Sequence, residues 1–290
     1  MRFYFLCFFF LYFPLQSAFA APLSIFVSIF PQKYFVEQIG QSQVRVSVMV
    51  GAGQSPATYE PTPQQMAQLN HASLYFRIGV PFERVWMQRL QQNVPQLPVV
   101  DLREGIDLHP LPNHQHQEKH GHDKPSRSSL DPHIWLHPLN AIIMAKTIRD
   151  QLSHIDPVNQ SLYQQRYQHL EKNLLQLHEV LKKQLMPFAK QRFLVFHPSW
   201  GYFAKAYGLE QLAIEHEGKS PGARALVQLI TQAKQEAIKV IFVQPQFSQQ
   251  QAQRIADAIA GQVIAIDPLA ENYPENLRRA ADAFVVALSP

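Results

Sequence analysis

Between Asp156-Pro157 and Met186-Pro187, Leu162, Tyr163, Tyr167, Leu170, Leu174, Leu177, Leu181 and Leu185 recur at spacings of three and four. Such a stripe specifies an amphipathic helix. At ~1.5 Å per residue, roughly 28 residues reach about 42 Å, enough to run the length of two small lobes. The stripe is shorter than a coiled coil needs, and His178 interrupts it. One stiff backbone helix over 156–187 is therefore expected, joining an N-terminal lobe over 21–155 to a C-terminal lobe over 188–290.

Each flank alternates short apolar runs with helical patterns. The first predicts strands at Leu23–Ile29, Val44–Val50, Ser73–Ile78 and Pro98–Leu102, with helices at Tyr34–Ile39, Thr62–Leu69 and Phe82–Gln91. The second predicts strands at Phe193–Phe196, Gln211–Glu215, Val240–Val243 and Val263–Ile266. Helices are expected there at Pro221–Glu236, capped by Ser220, then at Gln249–Ala260 and Pro274–Ala287. The stretch after Leu136 reads as a connecting segment. Strands separated by helices build parallel sheets. The expected fold class is α/β, two small parallel-sheet lobes on one long rigid helix with a cleft between them.

The first 20 residues read as a secretory signal peptide. Arg2 precedes about 13 apolar residues, Phe3 to Leu15, too few for the ~20 that span a bilayer. Small residues then lead to Ala20. Cys7, the single cysteine, lies in this segment, so the mature chain is expected to hold no disulfide, thiolate zinc site or cysteine nucleophile. The formal net charge of +4 comes without a basic run, which gives no support to nucleic-acid binding. No 18-residue apolar stretch follows the leader, so no membrane insertion of the mature chain is expected. The expected protein is a periplasmic monomer.

The chemistry of the chain lies in its histidines. His109, His114, His116, His120 and His122 crowd a polar loop over 109–122, a composition that marks metal binding. Three further groups stand in proline-bounded positions. His133 follows Asp131-Pro132, His197 ends the strand Arg192–Phe196 before Pro198, and Asp267 ends Val263–Ile266 before Pro268. Open α/β sheets bind ligands beyond the carboxyl ends of their strands. Two imidazoles and a carboxylate form a plausible zinc shell, and Trp135 is placed to exclude water from it.

These segments carry a family resemblance. Gly51-Ala52-Gly53-Gln54-Ser55-Pro56-Ala57-Thr58-Tyr59-Glu60-Pro61-Thr62-Pro63, Asp131–Leu136, Val195–Phe203, Ile241–Phe247 and Ile266–Leu269 occur in order across nearly the whole mature chain. The chain resembles the cluster A-I substrate-binding proteins of ABC metal importers, specifically the zinc-uptake, ZnuA-like branch. The resemblance implies a metal cleft with little hinge motion, and a membrane permease as partner. It also implies that His133, His197 and Asp267 occupy ligand positions. Zinc (Zn2+) is then the transported ligand, with manganese (Mn2+) less favoured, as a nitrogen-rich donor set also indicates. One position departs from the pattern. Where the family places a first histidine ligand, this chain has Ala57. Water or a histidine of the 109–122 loop is left to complete the shell, and Glu60 is a further candidate.

The functional expectation is a non-enzymatic solute-binding protein that captures zinc for an ABC permease. The alternative is a periplasmic zinc chaperone or sensor that no longer serves import. A secreted zinc hydrolase, the third reading, lacks a helix-borne pair of histidines around a glutamate, and Glu215-His216-Glu217 lies on an expected strand, which sends adjacent side chains to opposite faces. His71 reads as a surface residue, and His137 as solvated or standing just behind the metal.

Overall fold

The computed structural model describes residues 21–111, 130–215 and 221–289. The leader, His114, His116, His120, His122, His216, Glu217 and Ser220 lie outside the described residues.

The N-terminal lobe runs β1 (Leu23–Val27), α1 (Phe30–Gly40), β2 (Val44–Val48), α2 (Pro63–Leu69), β3 (Leu74–Arg77), α3 (Pro81–Asn93) and β4 (Val99–Asp101). Its strands pair in parallel in the order β2-β1-β3-β4. The chain then forms α4 (Pro138–Ile155) and α5 (Gln160–Leu185). The C-terminal lobe follows as β5 (Arg192–Val195), α6 (Gly201–Tyr207), β6 (Glu210–Ala213), α7 (Ala223–Gln235), β7 (Val240–Val243), α8 (Gln249–Ala258), β8 (Gln262–Ala265) and α9 (Tyr273–Leu288). Its strands are again parallel, ordered β6-β5-β7-β8. Each sheet reverses its winding between its first and third strands, which opens a crevice at their carboxyl ends.

α5 is the long helix of the leucine stripe. It extends over 26 residues, about 39 Å at the standard rise. Tyr163, Tyr167, Leu170, Leu174, Leu177, Leu181 and Leu185 face inward. Leu162 lies off that face and is exposed. α5 packs on α1 and α4 of the first half and on α6 and α9 of the second. One hydrophobic core runs through both lobes, from Ile25 and Phe35 to Phe193 and Phe284.

Three local expectations change. The stretch after Leu136 is a helix: α4 buries Ala141, Met144, Ala145, Ile148 and Leu152. α6, with its aromatic Tyr202, Phe203 and Tyr207 buried, also goes beyond the strand-and-helix pattern read above. The N-cap of α7 is Gly222, so Pro221 stands outside the helix.

Candidate metal centre

His197 and Gln244 are the residues that close the crevice of the second sheet. His197 lies two residues beyond the end of β5, and Gln244 directly follows β7. These are the strands between which the winding reverses. Gln244 donates from Nε2 to the His197 carbonyl at 3.0 Å and to Ser199 Oγ at 2.6 Å, fixing the turn that carries the imidazole. Phe247 stacks on the His197 ring at 4.9 Å between centroids.

His133 enters from the other side, in the turn between Asp131 and the helical turn Ile134–Leu136. Asp131 Oδ1 accepts from the His133 backbone N–H at 2.9 Å and pairs with its Nδ1 at 2.6 Å. His197 makes the equivalent contact, its Nδ1 lying 3.2 Å from Glu215 Oε1. A carboxylate on Nδ1 takes the proton-bearing nitrogen and leaves Nε2 with its lone pair, the arrangement that metal-binding histidines use. The two rings meet edge to face, 5.4 Å between centroids. Burial pushes the His133 pKa below its usual value, with His197 adding to this and Asp131 opposing it. The ring is therefore held neutral, as a metal ligand must be.

Both histidines line one cavity of about 430 Å³ between the lobes. Ala57 lines the same cavity. Its loop is braced from α2, where Gln65 accepts from Tyr59 Oη at 2.6 Å and donates to the Met49 carbonyl at 2.8 Å. Arg84 is brought to the cavity by the start of α3. That turn is pinned by buried Glu83, which accepts from Ile78 N–H, Gly79 N–H and Ser28 Oγ. Burial raises the Glu83 pKa against those bonds. Trp135, 1 % exposed, is a wall of the cleft and donates from Nε1 to the Pro268 carbonyl at 2.8 Å.

The structure brings His133 and His197 together but sets Asp267 apart from them. Asp267 lines an adjoining recess of about 130 Å³ with Gly51, Gly53 and Glu271. Gln246 and Leu269 stand in the walls of both spaces. Both also hold Asp267 Oδ1, the Gln246 amide at 3.2 Å and the Leu269 backbone N–H at 2.9 Å. Among the described residues, no three His, Asp or Glu groups converge closely enough to hold a metal. Glu60 is exposed and lies outside the walls of the cavity. His109 is occupied elsewhere: its ring stacks on Tyr202 at 5.3 Å, and its Nε2 accepts from Lys205 Nζ at 2.7 Å.

Sequence reasoning passed over Asp131 and Gln244, and considered Glu215 only as part of a hydrolase. An acidic residue two positions before His133 was the available signal for Asp131. His137 is half-buried. It packs on His178, 5.5 Å between ring centroids, and its buried Nε2 has no hydrogen-bond partner among the described residues.

The chain is 28% identical over 245 residues to the high-affinity zinc uptake system protein ZnuA of Bacillus subtilis, covering 83% of this chain and 75% of that one. It is 25% identical to the zinc-binding lipoprotein AdcA of Streptococcus pneumoniae, covering 91% of this chain and 53% of AdcA, so it spans about half the length of that relative. The crystal structure of a zinc-bound ZnuA deletion mutant superposes with a TM-score of 0.85 at 38% identity, covering 93% of this chain and 99% of that one. Residues 25–287 match the family described as ZnuA, zinc-uptake complex component A, periplasmic. With that match across both lobes and the cleft between them, the chain belongs to the ZnuA family.

Proposed function

We propose that this protein captures zinc in the periplasm and delivers it to the permease of an ABC importer. The observation that carries this is the pair of carboxylate-backed imidazoles, His133 and His197, contributed from opposite sides of one cleft. Nitrogen donors of this kind suit zinc better than manganese. Asp267 is the third protein ligand in this reading, exchanging its Gln246 bond for the metal, and water takes the position left by Ala57. His114, His116, His120 and His122 act as an auxiliary collector, while His109 stays engaged with Tyr202 and Lys205. Leu111 leads from that tract directly into the cleft wall. Among the described residues no helix is long and apolar enough to cross a membrane, which fits a leader-exported protein that meets its permease from outside. No catalytic role is assigned, because Asp131 and Glu215, the carboxylates beside the imidazoles, are engaged on them and neither is poised as a base.

Calorimetric zinc titration against a competing chelator tests the reading. The comparison is the wild-type chain, His133→Ala, His197→Ala and a deletion of the tract that retains His109–Leu111. That retention matters because the His109 carbonyl accepts from the Asp131 N–H at 2.8 Å. Tight one-to-one binding should survive the deletion and weaken by about 100-fold or more in either histidine variant. Undiminished binding in both histidine variants would sink the proposal. Ala57 favours one competing role, a zinc chaperone. A protein that binds zinc tightly yet fails to support zinc uptake through the permease would establish that role instead.

A further inference from the structure

The carboxylate that orients His133 is buried and has two oxygens to satisfy. Asp131 Oδ1 takes both the His133 backbone N–H and its Nδ1. Oδ2 takes part in neither bond and lies against Gly201, the first residue of α6. A Cβ on Gly201 would stand 2.7 Å from that oxygen. Gly201 is not among the residues with positive φ, so its backbone conformation does not call for glycine. What the missing side chain supplies is room for the carboxylate to approach the main chain.

A donor stands at the same point. Nε2 of Gln211, on β6, lies 3.8 Å from the position of a Gly201 Cβ. The orientation of this amide is fixed, because Oε1 accepts from the Trp200 N–H at 2.7 Å and a backbone N–H can only donate. Nε2 is buried and has no hydrogen-bond partner among the described residues. A buried donor in need of an acceptor thus meets the outer oxygen of a buried carboxylate across one glycine. The two belong to different halves of the molecule: Asp131 follows β4 of the first sheet, and Gln211 sits on the edge strand of the second.

We infer that Gln211 is a positioning residue for metal capture, its Nε2–H serving Asp131 Oδ2 directly or across one water. It touches neither the metal nor an imidazole. With Oδ2 held, the carboxylate cannot turn away from His133 Nδ1 when a metal draws on the ring, and its negative charge has a buried donor to face. Support of this kind, one bond further out than Asp131, acts on metal affinity through the ligand's orientation and basicity. This rests on the zinc-capture reading above and adds a residue of the second lobe to the support of a ligand from the first.

Zinc affinity of the full chain, measured by chelator competition, tests the inference in single and double variants. Gln211→Glu keeps an oxygen for the Trp200 N–H but replaces the donor with an acceptor, whereas Gln211→Met removes both. Each should weaken zinc binding by about tenfold, the usual worth of one charge-assisted hydrogen bond. A residue that only braced Trp200 would leave Gln211→Glu at wild-type affinity. The double variant Asp131→Asn with Gln211→Glu gives the second readout. There the new amide at 131 can donate to the new carboxylate at 211, so zinc should bind no more weakly than in Asp131→Asn alone. That is a coupling of about tenfold, which a purely structural role would not produce. If Gln211→Glu does not fold, the same cycle is read with Gln211→Met, whose loss should vanish in the Asp131→Asn background. Wild-type affinity in Gln211→Glu, or losses that simply multiply in the double variant, would overturn the inference while zinc capture stands. A wild-type chain that binds no zinc would take both readings down.

Discussion

His133 is set by charge as well as by shape. Asp131 Oδ1 holds both its backbone N–H and its Nδ1, so one carboxylate fixes the turn and orients the ring. Asp131→Asn keeps the shape but removes the charge and the sure acceptor. Zinc affinity should fall by about 10–100-fold, as when such a supporting partner is lost, while the thermal midpoint without metal moves little. Calorimetry and a melting curve on the same preparation separate the two effects. Gly201 gives an independent handle on the same carboxylate. A Cβ at that position would lie 2.7 Å from Asp131 Oδ2, so the carboxylate has to shift. Gly201→Ala should therefore push Asp131 away from His133 and weaken zinc binding by about tenfold or more without touching either imidazole. Unchanged affinity in Gly201→Ala would mean that Asp131 does not position the ring.

At the scale of elements, the strands and α5 were legible because their signals are local. β7 is Val-Ile-Phe-Val closed by Gln244-Pro245, and α5 repeats leucine at three and four. α4 carries an equally clear spacing, Ala141, Met144, Ala145, Ile148 and Leu152, but it begins at Pro138 directly after a proline-bounded loop and reads as connection. α6 has only seven residues, three of them aromatic, and its helicity comes from burial against the core. The place of His197 beyond the end of β5 was readable for a related reason: the sheet topology fixes where strand ends go. The Asp267 carboxylate was not, because its direction depends on Gln246, 21 positions away. The unforeseen cluster at the joint of α4, α5 and α6 has a consequence for stability. His137 caps α4, His178 belongs to α5, and Tyr207 of α6 lies 3.3 Å from His178 Nδ1. Burial, helped by His178, drives the His137 pKa down from 6.5 to about 4. An unfolded chain takes up this proton near 6.5, the folded one only near 4, so U binds more protons in between and stability falls as pH drops through that window. Allowing for partial exposure, the loss is about 1–2 kcal/mol. Urea midpoints at pH 7 and 4.5 should differ accordingly, and His137→Phe should narrow the difference. An equal pH dependence in the variant would assign the loss to other groups.

For the whole molecule, the question is whether zinc entry closes two lobes or finds them already closed. The seam answers through its contacts. Phe35 of α1 meets Tyr273 of α9 at 4.8 Å between ring centroids. Tyr273 Oη donates to the Trp135 carbonyl at 2.7 Å, and Trp135 in turn donates to Pro268. Lys33 pairs with Glu271 across the same seam, and the His109 N–H donates to Tyr202 Oη at 3.1 Å. Phe35, Trp135 and Tyr273 are all at most 2 % exposed. Opening the lobes would return these three rings to water at roughly 1.5–3 kcal/mol each, on the order of 5 kcal/mol together. α5 adds a mechanical argument, because an unbroken helix of 26 residues packed against both lobes offers no loop within it in which a hinge can bend. Metal capture should then proceed by side-chain adjustment around Asp267 and Gln246, with the lobes fixed. Small-angle scattering of chelator-stripped and zinc-loaded protein should give radii of gyration that agree within about 1 Å. A larger contraction on loading would show that the seam releases in the metal-free protein, and the rigid-cleft account would have to be abandoned.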